Sequence, residues 1–345
     1  QPVASMNIRW MSPLDVEKTE IGRYSQALLP LLHEAFSLEV ITDSATFHEE
    51  FNSDNHVTGM APINIYHIGN SHHHCGILRW AMQDPGIVVL HDVNLLELAL
   101  AFARDNGELD LTWMAGAEHG AAAARGFDGL FGGENYDWCG HSQEQYDYFI
   151  SHFPLFETFI SRASGVIVHS EYAREWVRKK YDGPVQRLDL PYPAVQGSVV
   201  SRSVPPPFEL IFCGHAGPNR RLRQFLKAWG EISQPEYFRL SLYGNIDKAD
   251  EILADAANAG VAGYVHVAGF VSDEALDDAI SRSHLALNLR YPTVGEASAS
   301  QLRYWSHGLP ALVSDIGWYG ELPDDVVIKV SHQREHDDIL SLIHI

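Results

Sequence analysis

A carboxylate on a glycine turn, followed by small residues and a helix, is the part of this chain best suited to chemistry on a polar ligand. In the segment YPTVGEASASQLRYWSHGLPALVSD, Glu296 comes directly after Gly295 and before Ala297 and Ser298. Glycine permits the turn, and the backbone N–H groups at a helix start favour an anion. We therefore predict that Glu296 lies beside a polar ligand and that Ala297 and Ser298 offer N–H groups to an anion. An ordinary loop with a helix cap is the alternative.

A second loop carries glycine and basic residues. It reads GHAGPNRR and lies between the apolar run Leu210–Cys213 and a helical pattern. Glycines permit close backbone approach, a helix N-terminus favours anions, and guanidinium groups bind phosphate oxygens. We predict that Gly214, His215, Arg220 and Arg221 bind a diphosphate. The loop lacks the GxxxxGK[ST] spacing of a kinase-like ATP site, and no G-x-G-x-x-G run follows the first strand, which counts against a nicotinamide enzyme.

Two further candidates follow predicted strands in the first half of the chain. Gly22 stands at the start of the first long helical pattern, where a glycine lets a ligand approach the backbone. Its alternative is a helix-start glycine with no ligand. His91 follows the run Ile87–Leu90 and precedes Asp92, which makes it a candidate substrate contact. A histidine held in hydrogen-bonded structure is the alternative.

These candidates need a scaffold that gathers strand ends, and the sequence predicts two such scaffolds. Short apolar or β-branched runs alternate with helical patterns in two series, which is typical of parallel sheets covered on both faces. The first series of strands is Asn7–Trp10, Leu38–Thr42, Ile63–Ile68, Ile87–Leu90, Val166–His169 and Val185–Leu190. The second is Leu210–Cys213, Leu240–Tyr243, Val265–Ala268, Leu285–Asn288, Ala311–Ser314 and Val326–Val330.

A polar, proline-rich stretch over 194–207 separates the two series and is typical of a linker. We therefore predict an α/β protein with two doubly wound Rossmann-like domains, over 1–193 and 208–345, that face each other across a cleft. Ligands of such open sheets bind at the carboxyl ends of the strands. Most of the polar candidates above follow predicted strands.

Composition and charge exclude several classes of protein. The chain has 345 residues, which favours two domains, and its net charge of −21 opposes binding to nucleic acid or an anionic membrane. No apolar run approaches the roughly 20 residues of a membrane span, and the N-terminus lacks the pattern of a signal peptide. Its three cysteines are far apart and give no disulfide framework. We expect a cytoplasmic protein with at most peripheral membrane association.

The run SHHHC over 71–75 contains metal-ligand residue types. Adjacent residues on an extended segment point to opposite faces, so consecutive histidines rarely converge on one ion. We predict that Gly69–His74 forms a loop at the edge of the first domain's cleft, with no metal site. A metal-dependent hydrolase is the alternative, and it would need this cluster to hold a metal.

Taken in order, these segments resemble the retaining glycosyltransferases of the two-Rossmann-domain (GT-B) type, in the family 4 group. The resemblance covers almost the whole chain and is carried by GRYSQALL, LHDV, SGVIVHSEYAREWV with LPYP, GHAGPNRRL, VHVAGFVSDEAL and GEASASQLRYWSHGLPALVSD. It implies transfer of a mannose-, glucose- or rhamnose-like hexose from a GDP- or UDP-sugar donor to a glycan or lipid-linked acceptor. It also implies retention of configuration, no metal ion and no other cofactor. The N-terminal domain would then lie on the acceptor side and the C-terminal domain would bind the nucleotide sugar.

The resemblance assigns catalytic roles to three residues. It implies that Glu296 takes the place of the first carboxylate of an E-x7-E motif and contacts the donor sugar, and that His91 lies near the transferred sugar. Arg221 matches a diphosphate-binding lysine, with Arg220 as a neighbouring candidate. Cations placed where the leaving diphosphate gains negative charge would speed the step. On the sequence alone we expect Arg221→Ala to abolish most transfer while leaving the fold intact.

The resemblance also implies supporting roles in donor or acceptor binding for several other positions. The resemblance implies that Gly22 lies against the donor phosphates or the acceptor, and that Val271 follows the strand and loop along the nucleotide base. His215 stands where many relatives carry an arginine. Tyr304 replaces the second carboxylate of the motif, which commonly holds the ribose hydroxyls, and a tyrosine cannot accept a diol pair in that way. Ribose recognition would then differ, through Tyr304, Ser300 or the backbone.

Two rival functions share this architecture, namely a sugar-nucleotide epimerase and a non-catalytic sugar-nucleotide-binding protein. The missing second carboxylate favours the latter. The resemblance also implies helices after the last strand that cross back to the first domain. Only SHQREHDDILSLIHI follows that strand here, so we expect either a truncated C-terminal domain or one module of a longer polypeptide.

Overall fold

The computed structural model of the chain describes residues 6–15, 19–42, 61–106, 109–131, 142–192, 202–246 and 248–343. Internal contacts divide it into two compact units. Unit 1 comprises Gln1–Pro191 with Val294–Ala297, and unit 2 comprises Tyr192–Thr293 with Ser298–Ile345. Unit 1 is therefore discontinuous in sequence. Of the predicted linker over 194–207, residues 194–201 lie outside the described residues.

Unit 1 contains a six-stranded parallel sheet with helices between its strands. Its strands are β1 Asn7–Met11, β2 Ser37–Ile41, β3 Ile63–Ile68, β4 Ile87–Leu90, β5 Gly165–Val168 and β6 Val185–Arg187. Its helices are α1 Glu20–Ala35, α2 Cys75–Gln83, α3 Leu96–Asn106, α4 Leu111–His119, α5 Ala121–Phe131, α6 Gln143–His152, α7 Glu157–Ile160 and α8 Glu171–Arg178. The sheet order is β2–β1–β3–β4–β5–β6, and every pairing is parallel.

Unit 2 repeats this architecture. Its strands are β7 Phe208–Cys213, β8 Phe238–Tyr243, β9 Val265–Gly269, β10 Leu285–Asn288, β11 Ala311–Ser314 and β12 Val327–Val330. Its helices are α9 Leu222–Gly230, α10 Ala249–Asn258, α11 Asp273–Arg282, α12 Ala299–Ser306, α13 Gly317–Gly320 and α14 Glu335–Ile343. The parallel sheet has the order β12–β11–β10–β7–β8–β9.

Local sequence explains where several helices begin. The side chains of Thr19, Ser170 and Ser298 accept hydrogen bonds from backbone N–H groups in the first turns of α1, α8 and α12. Such caps satisfy N–H groups that have no partner inside the helix. The helices bury their apolar faces on the sheets, with Phe127 and Phe156 in the core of unit 1 and Phe225 and Trp229 in that of unit 2.

The two strand orders place a switch point in each sheet. In unit 2, β7 and β10 are neighbours, and the chain leaves them toward opposite edges of the sheet, so a crevice opens at their carboxyl ends. In unit 1 the equivalent neighbours are β1 and β3. The loops after these four strands are the expected ligand-binding positions of the fold.

The structure confirms the predicted fold class of two Rossmann-like α/β domains with parallel sheets, and each predicted strand is present. The largest difference in length is at β6, which ends at Arg187 rather than at Leu190. Among the helices of the described ranges, none combines the length and the apolar character that crossing a bilayer requires.

Candidate functional site

At the carboxyl edge of the unit 2 sheet, glycines end three neighbouring strands. Gly214, Gly244 and Gly269 have φ angles of 122°, 108° and 70°, which favour glycine over residues with side chains. A Cβ on Gly244 would lie 2.4 Å from the Gly214 carbonyl oxygen, and a Cβ on Gly214 would lie 2.6 Å from Nη2 of Arg220. Close contacts therefore oppose a side chain at Gly214 and Gly244, whose backbones pack on each other, whereas at Gly269 only the positive φ angle does so.

The buried Arg220 side chain holds the loop after β7 in shape. Its Nε donates to the His215 carbonyl at 2.9 Å, and its Nη2 donates to the Cys213 carbonyl at 3.4 Å. Its Nη1 donates to Oδ1 of Asn288, the last residue of β10, at 3.3 Å. Arg220 thereby ties the two strands of the switch point together. Direct contact with phosphate, as predicted for Arg220, His215 and Gly214, stays a prediction.

Arg221 lies in the left-handed region, with φ of 58°, at the N-cap of α9, and its guanidinium is paired with Glu335. Nη2 of Arg221 lies 2.6 Å from Oε2 of Glu335, and Nε lies 3.0 Å from both carboxylate oxygens. The two side chains are only 10% and 7% exposed. Removing one partner of a buried pair leaves an uncompensated charge. The expectation that Arg221→Ala would leave the fold intact is therefore corrected by this pairing.

A hydrogen-bond network joins the loop after β7 to the start of α12. Nδ2 of Asn288 donates to Oγ of Ser298 at 3.3 Å and to Oε1 of Gln301 at 3.0 Å. Ser298 also accepts from the backbone N–H of Gln301 as the helix cap. The buried Nε2 of Gln301 has no hydrogen-bond partner within the described ranges. Ser298 is thus tied to the switch point through Asn288, and contact of its backbone N–H with an anion stays a prediction.

Tyr304 lies in the core of unit 2, and its side chain is fully buried. Its hydroxyl oxygen accepts a hydrogen bond from the backbone N–H of Cys213 at 2.9 Å. Burial raises the pKa of Tyr304 well above its usual value and that of the Cys213 thiol to about 12. The predicted ribose contact through Tyr304 is therefore corrected to a structural role, because the side chain is enclosed and its hydroxyl braces the end of β7.

We expect Tyr304→Phe to lower the free energy of unfolding of unit 2 by about 1–3 kcal/mol, since the buried Cys213 N–H loses its acceptor. Urea titrations of the full chain measure this change. Tyr237→Phe is the control, because Tyr237 is 39% exposed and its hydroxyl accepts a hydrogen bond from the exposed Gln234 amide. Nucleotide affinity should be equal in Tyr304→Phe and wild type, whereas a ribose contact through Tyr304 would weaken binding without lowering stability.

Val271, the predicted neighbour of the nucleotide base, follows β9 and is half-buried. The sheet order places β9 two strands away from β7, so Val271 lies further along the same edge than Gly214. It follows Phe270, whose side chain is 65% exposed. Its role beside a base stays a prediction.

Glu296 and Ala297 belong to unit 1, where their loop is held by the segment after β4. The backbone N–H groups of Val93 and Asn94 donate to the Val294 carbonyl at 2.7 and 2.8 Å. Gly295 has φ of 81°, and a Cβ there would lie 2.8 Å from Cβ of Val93. The buried Glu296 accepts from the Val294 N–H at 3.0 Å through Oε2. The glycine turn predicted for this carboxylate is therefore present, and close packing explains why it needs glycine.

The charge of Glu296 affects the pKa of a nearby tyrosine, Tyr172. Burial raises the pKa of Tyr172, and the negative charge of Glu296 raises it further. Tyr172 therefore remains a neutral hydroxyl near the carboxylate.

Gly22 lies in the first turn of α1 and is enclosed by the chain's own backbone. A Cβ at this position would lie 3.0 Å from the Asp15 carbonyl oxygen and 3.0 Å from the Leu14 carbonyl carbon. Close packing therefore explains why a glycine stands at position 22, in line with the alternative of a helix-start glycine that binds no ligand. Its approach to a donor or acceptor stays a prediction.

His91 follows β4 and is buried between two other histidines of unit 1. Its Nε2 lies 3.0 Å from Nδ1 of His67 on β3, and its Nδ1 lies 3.2 Å from Nε2 of His169, which follows β5. Nδ1 of His169 lies 2.9 Å from the Leu188 carbonyl oxygen. Both ring nitrogens of His91 are thus engaged by imidazoles, so a sugar contact by either nitrogen requires one of these bonds to open.

Burial lowers the pKa of each of these rings below its usual value. For His67 and His91, neighbouring imidazoles lower the pKa further. For His169, the Leu188 carbonyl and the charge of Asp189 act against the lowering. The rings are therefore neutral near pH 7.

Within the predicted loop Gly69–His74, residues His72–His74 form a short 3₁₀ turn that leads into α2. His74 is buried, and its Nδ1 lies 2.8 Å from the His67 carbonyl oxygen. Burial lowers the pKa of His74 to about 4. Over the part of the chain that the structure describes, no group of His, Cys, Asp and Glu has an arrangement that could hold a metal ion.

Sequence reasoning missed His67 and His169 as partners of His91. A signal was present, because the segments IYHI, VVLH and VIVH each carry a histidine at or near the end of a strand. Parallel neighbours bring such strand ends together. Glu335 was also missed, and no local pattern marks it, since its partner lies 114 positions away in sequence.

Comparisons with known proteins identify relatives in structure only. No protein-family model matches the chain. No curated protein matches it either. Among solved structures, sucrose-phosphate synthase from Thermosynechococcus elongatus matches at a TM-score of 0.60 and 10% identity, covering 98% of this chain and 89% of that one.

Two further solved structures match over most of both chains. WaaG, a glycosyltransferase involved in lipopolysaccharide biosynthesis, matches at a TM-score of 0.53 and 12% identity, covering 97% and 89%. Anabaena HepE, in complex with UDP, matches at 0.50 and 12%, covering 98% and 90%. Longer proteins are covered less fully, since the chain spans 42% of Staphylococcus aureus TarM at a TM-score of 0.42. At these identities the likeness establishes the fold, and the chain has the two-Rossmann-domain GT-B fold, which it shares with the glycosyltransferase WaaG.

Proposed function

We propose that this protein is a glycosyltransferase that moves a sugar from a nucleoside-diphosphate donor to a saccharide acceptor. One observation carries the proposal: the loop from Gly214 to Arg221 lies at the switch point of unit 2, in a fold shared with glycosyltransferase structures. Bare glycine backbone, two guanidinium groups and a helix start meet there, which suits a diphosphate. UDP in the similar HepE structure supports a nucleotide donor.

In the proposed reaction the bond between the anomeric carbon and the phosphate oxygen breaks, and the same carbon bonds to the oxygen of an acceptor hydroxyl. The proton of that hydroxyl passes to the leaving diphosphate. Positive charge grows on the sugar, and negative charge grows on the leaving diphosphate. The Arg221 guanidinium and the N-terminus of α12 would stabilise the leaving group, and Glu296 would orient the sugar hydroxyls. Retention of configuration, a hexose donor with GDP or UDP, independence of metal ions, a lipid-linked acceptor and a cytoplasmic location are further parts of the proposal.

Glu335 adds a condition to this mechanism. Its carboxylate already holds the Arg221 guanidinium at 2.6 Å, so a diphosphate would have to share or displace it. Guanidinium groups bind carboxylate and phosphate with the same planar fork, which makes such an exchange chemically straightforward. Donor binding would then weaken the link between α9 and α14.

A panel of nucleotide sugars, followed by thermal shift and then by product analysis, tests the proposed function. A donor that binds tightly raises the unfolding temperature by mass action. Release of nucleoside diphosphate together with a glycosylated acceptor supports transfer. An isomerised donor would instead identify an epimerase, and binding without turnover would identify a sugar-nucleotide-binding protein.

For Glu296→Gln we expect a loss of turnover of roughly 100-fold, because the amide removes the negative charge beside the developing sugar cation. The amide oxygen can still accept the Val294 N–H, so the turn should persist. The measurement is kcat with the best donor of the panel. Glu274→Gln, at an exposed position on α11, is the matched control. Equal turnover in Glu296→Gln and wild type would remove Glu296 from the mechanism.

A further inference from the structure

Three neighbouring strands of unit 1 contribute the rings of one unbranched imidazole chain. His67 lies on β3, His91 follows β4 and His169 follows β5, and these strands are adjacent in the sheet. The ring nitrogens meet at 3.0 and 3.2 Å. Nearby, the Trp10 ring lies 4.1 Å from that of His67 and the Tyr24 ring lies 5.0 Å from that of His91. We call these three rings the imidazole chain.

The Leu188 carbonyl sets the direction of every hydrogen bond in the imidazole chain. A carbonyl oxygen only accepts, so His169 must donate from Nδ1–H. In a neutral ring the other nitrogen then accepts, so Nε2 of His169 accepts from Nδ1–H of His91. By the same rule Nε2 of His91 accepts from Nδ1–H of His67. The opposite direction would place a nitrogen lone pair against the Leu188 oxygen.

The far end of the imidazole chain agrees with this direction. The remaining nitrogen of His67 is Nε2, which the direction leaves as a bare lone pair. This atom is buried and has no hydrogen-bond partner within the described part of the chain. The reverse direction would put an N–H on this buried nitrogen and leave that donor without an acceptor, which costs more than an unpaired lone pair. Burial, which keeps each ring neutral, preserves the same pattern.

The imidazole chain adjoins the segment that carries the glutamate turn. The His91 backbone N–H donates to the Ile68 carbonyl, and two residues later Val93 and Asn94 donate to the Val294 carbonyl. We propose that His67 and His169 are positioning residues that fix the tautomer and orientation of His91, and through segment 91–94 the turn that carries Glu296. The expected effect on turnover rests on the proposed function, whereas the predicted tautomers of His67, His91 and His169 are independent of it.

Long-range ¹H–¹⁵N NMR of the full chain without ligand tests the direction. We expect His67, His91 and His169 each to carry the proton on Nδ1. Two other histidines are internal controls of the opposite tautomer, since Nε2 of His119 donates to the Pro154 carbonyl and Nε2 of His284 donates to the Ser203 carbonyl. A proton on Nε2 of His91 in the resting protein would overturn the proposal.

Two variants at one position test the positioning role. His169→Leu removes the acceptor of His91, so we expect loss of the Nδ1–H tautomer at His91 and faster amide exchange at Val93 and Asn94. Turnover should fall roughly tenfold or more. His169→Gln offers an amide oxygen in place of Nε2 and should restore the tautomer and the slow exchange. Val166→Ala, a buried change on the strand that precedes His169, controls for lost stability and should alter neither the tautomer nor the exchange.

The outcomes separate the two proposals. If wild type turns over no nucleotide sugar, the proposed function fails, while the tautomers and the exchange at Val93 and Asn94 still decide the positioning role. If His169→Leu keeps the wild-type tautomer and exchange, the positioning role fails whatever the activity is. If Val166→Ala and His169→Leu changed the His91 tautomer and the exchange at Val93 and Asn94 equally, His169 would contribute only to packing.

Discussion

Arg221→Ala should lower the free energy of unfolding of unit 2 by about 3–5 kcal/mol, because it leaves the buried Glu335 carboxylate without its charge partner. Glu335→Ala should cost a similar amount by leaving the guanidinium behind. Both wild-type and variant residue 221 have a side chain in the left-handed region, so backbone strain largely cancels in the comparison. Urea titrations at pH 7 measure both changes.

The double variant Arg221→Ala/Glu335→Leu separates the structural role of Arg221 from its proposed chemistry. Replacing both members of a buried pair by apolar residues is often neutral, so we expect most of the lost stability to return. Turnover should not return, because the cation near the diphosphate is still missing. A double variant that recovers both stability and turnover would show that Arg221 serves only to hold α14.

The stability of unit 1 should fall steeply as the pH is lowered from about 6.5 to about 4. The pKa of His74 is about 4 in the fold, so between these values the unfolded chain binds a proton that the folded chain does not. Stability therefore rises with pH across this window, by up to about 1.4 kcal/mol per pH unit for one histidine, or about 3 kcal/mol in all. The lowered pKa values of His67, His91 and His169 act with the same sign.

His74→Asn tests this prediction, because its amide can still donate to the His67 carbonyl while it cannot titrate. Amide exchange on β3 and β4, measured at several pH values, follows the opening of unit 1. The slope of stability against pH should decrease in His74→Asn. Leu78→Ala is the control, since it empties a buried site on α2 without removing a titrating group and should lower stability at every pH alike. Identical slopes in wild type and His74→Asn would mean that the His74 ring is already charged in the fold.

The alternation of apolar runs with helical patterns predicted both sheets because each parallel strand is locally apolar and each crossover helix is locally amphipathic. Glycine was equally informative at Gly214 and Gly295, where the backbone adopts positive φ angles. The sequence did not predict that Arg221 pairs with Glu335, because this contact depends on how α9 and α14 pack against each other. For the same reason Tyr304, placed by motif alignment near a ribose, proved to be enclosed in the core.

Residues 294–297 have a consequence for dissecting the protein. They count with unit 1 although the chain on both sides of them belongs to unit 2. A fragment that stops at Pro191 would lack the Val294 carbonyl oxygen. The backbone N–H groups of Val93 and Asn94 would then lose their acceptor and would have to donate to water. Expressing each half separately therefore requires a short peptide supplied in trans, or a circularly permuted gene that keeps these four residues covalently attached.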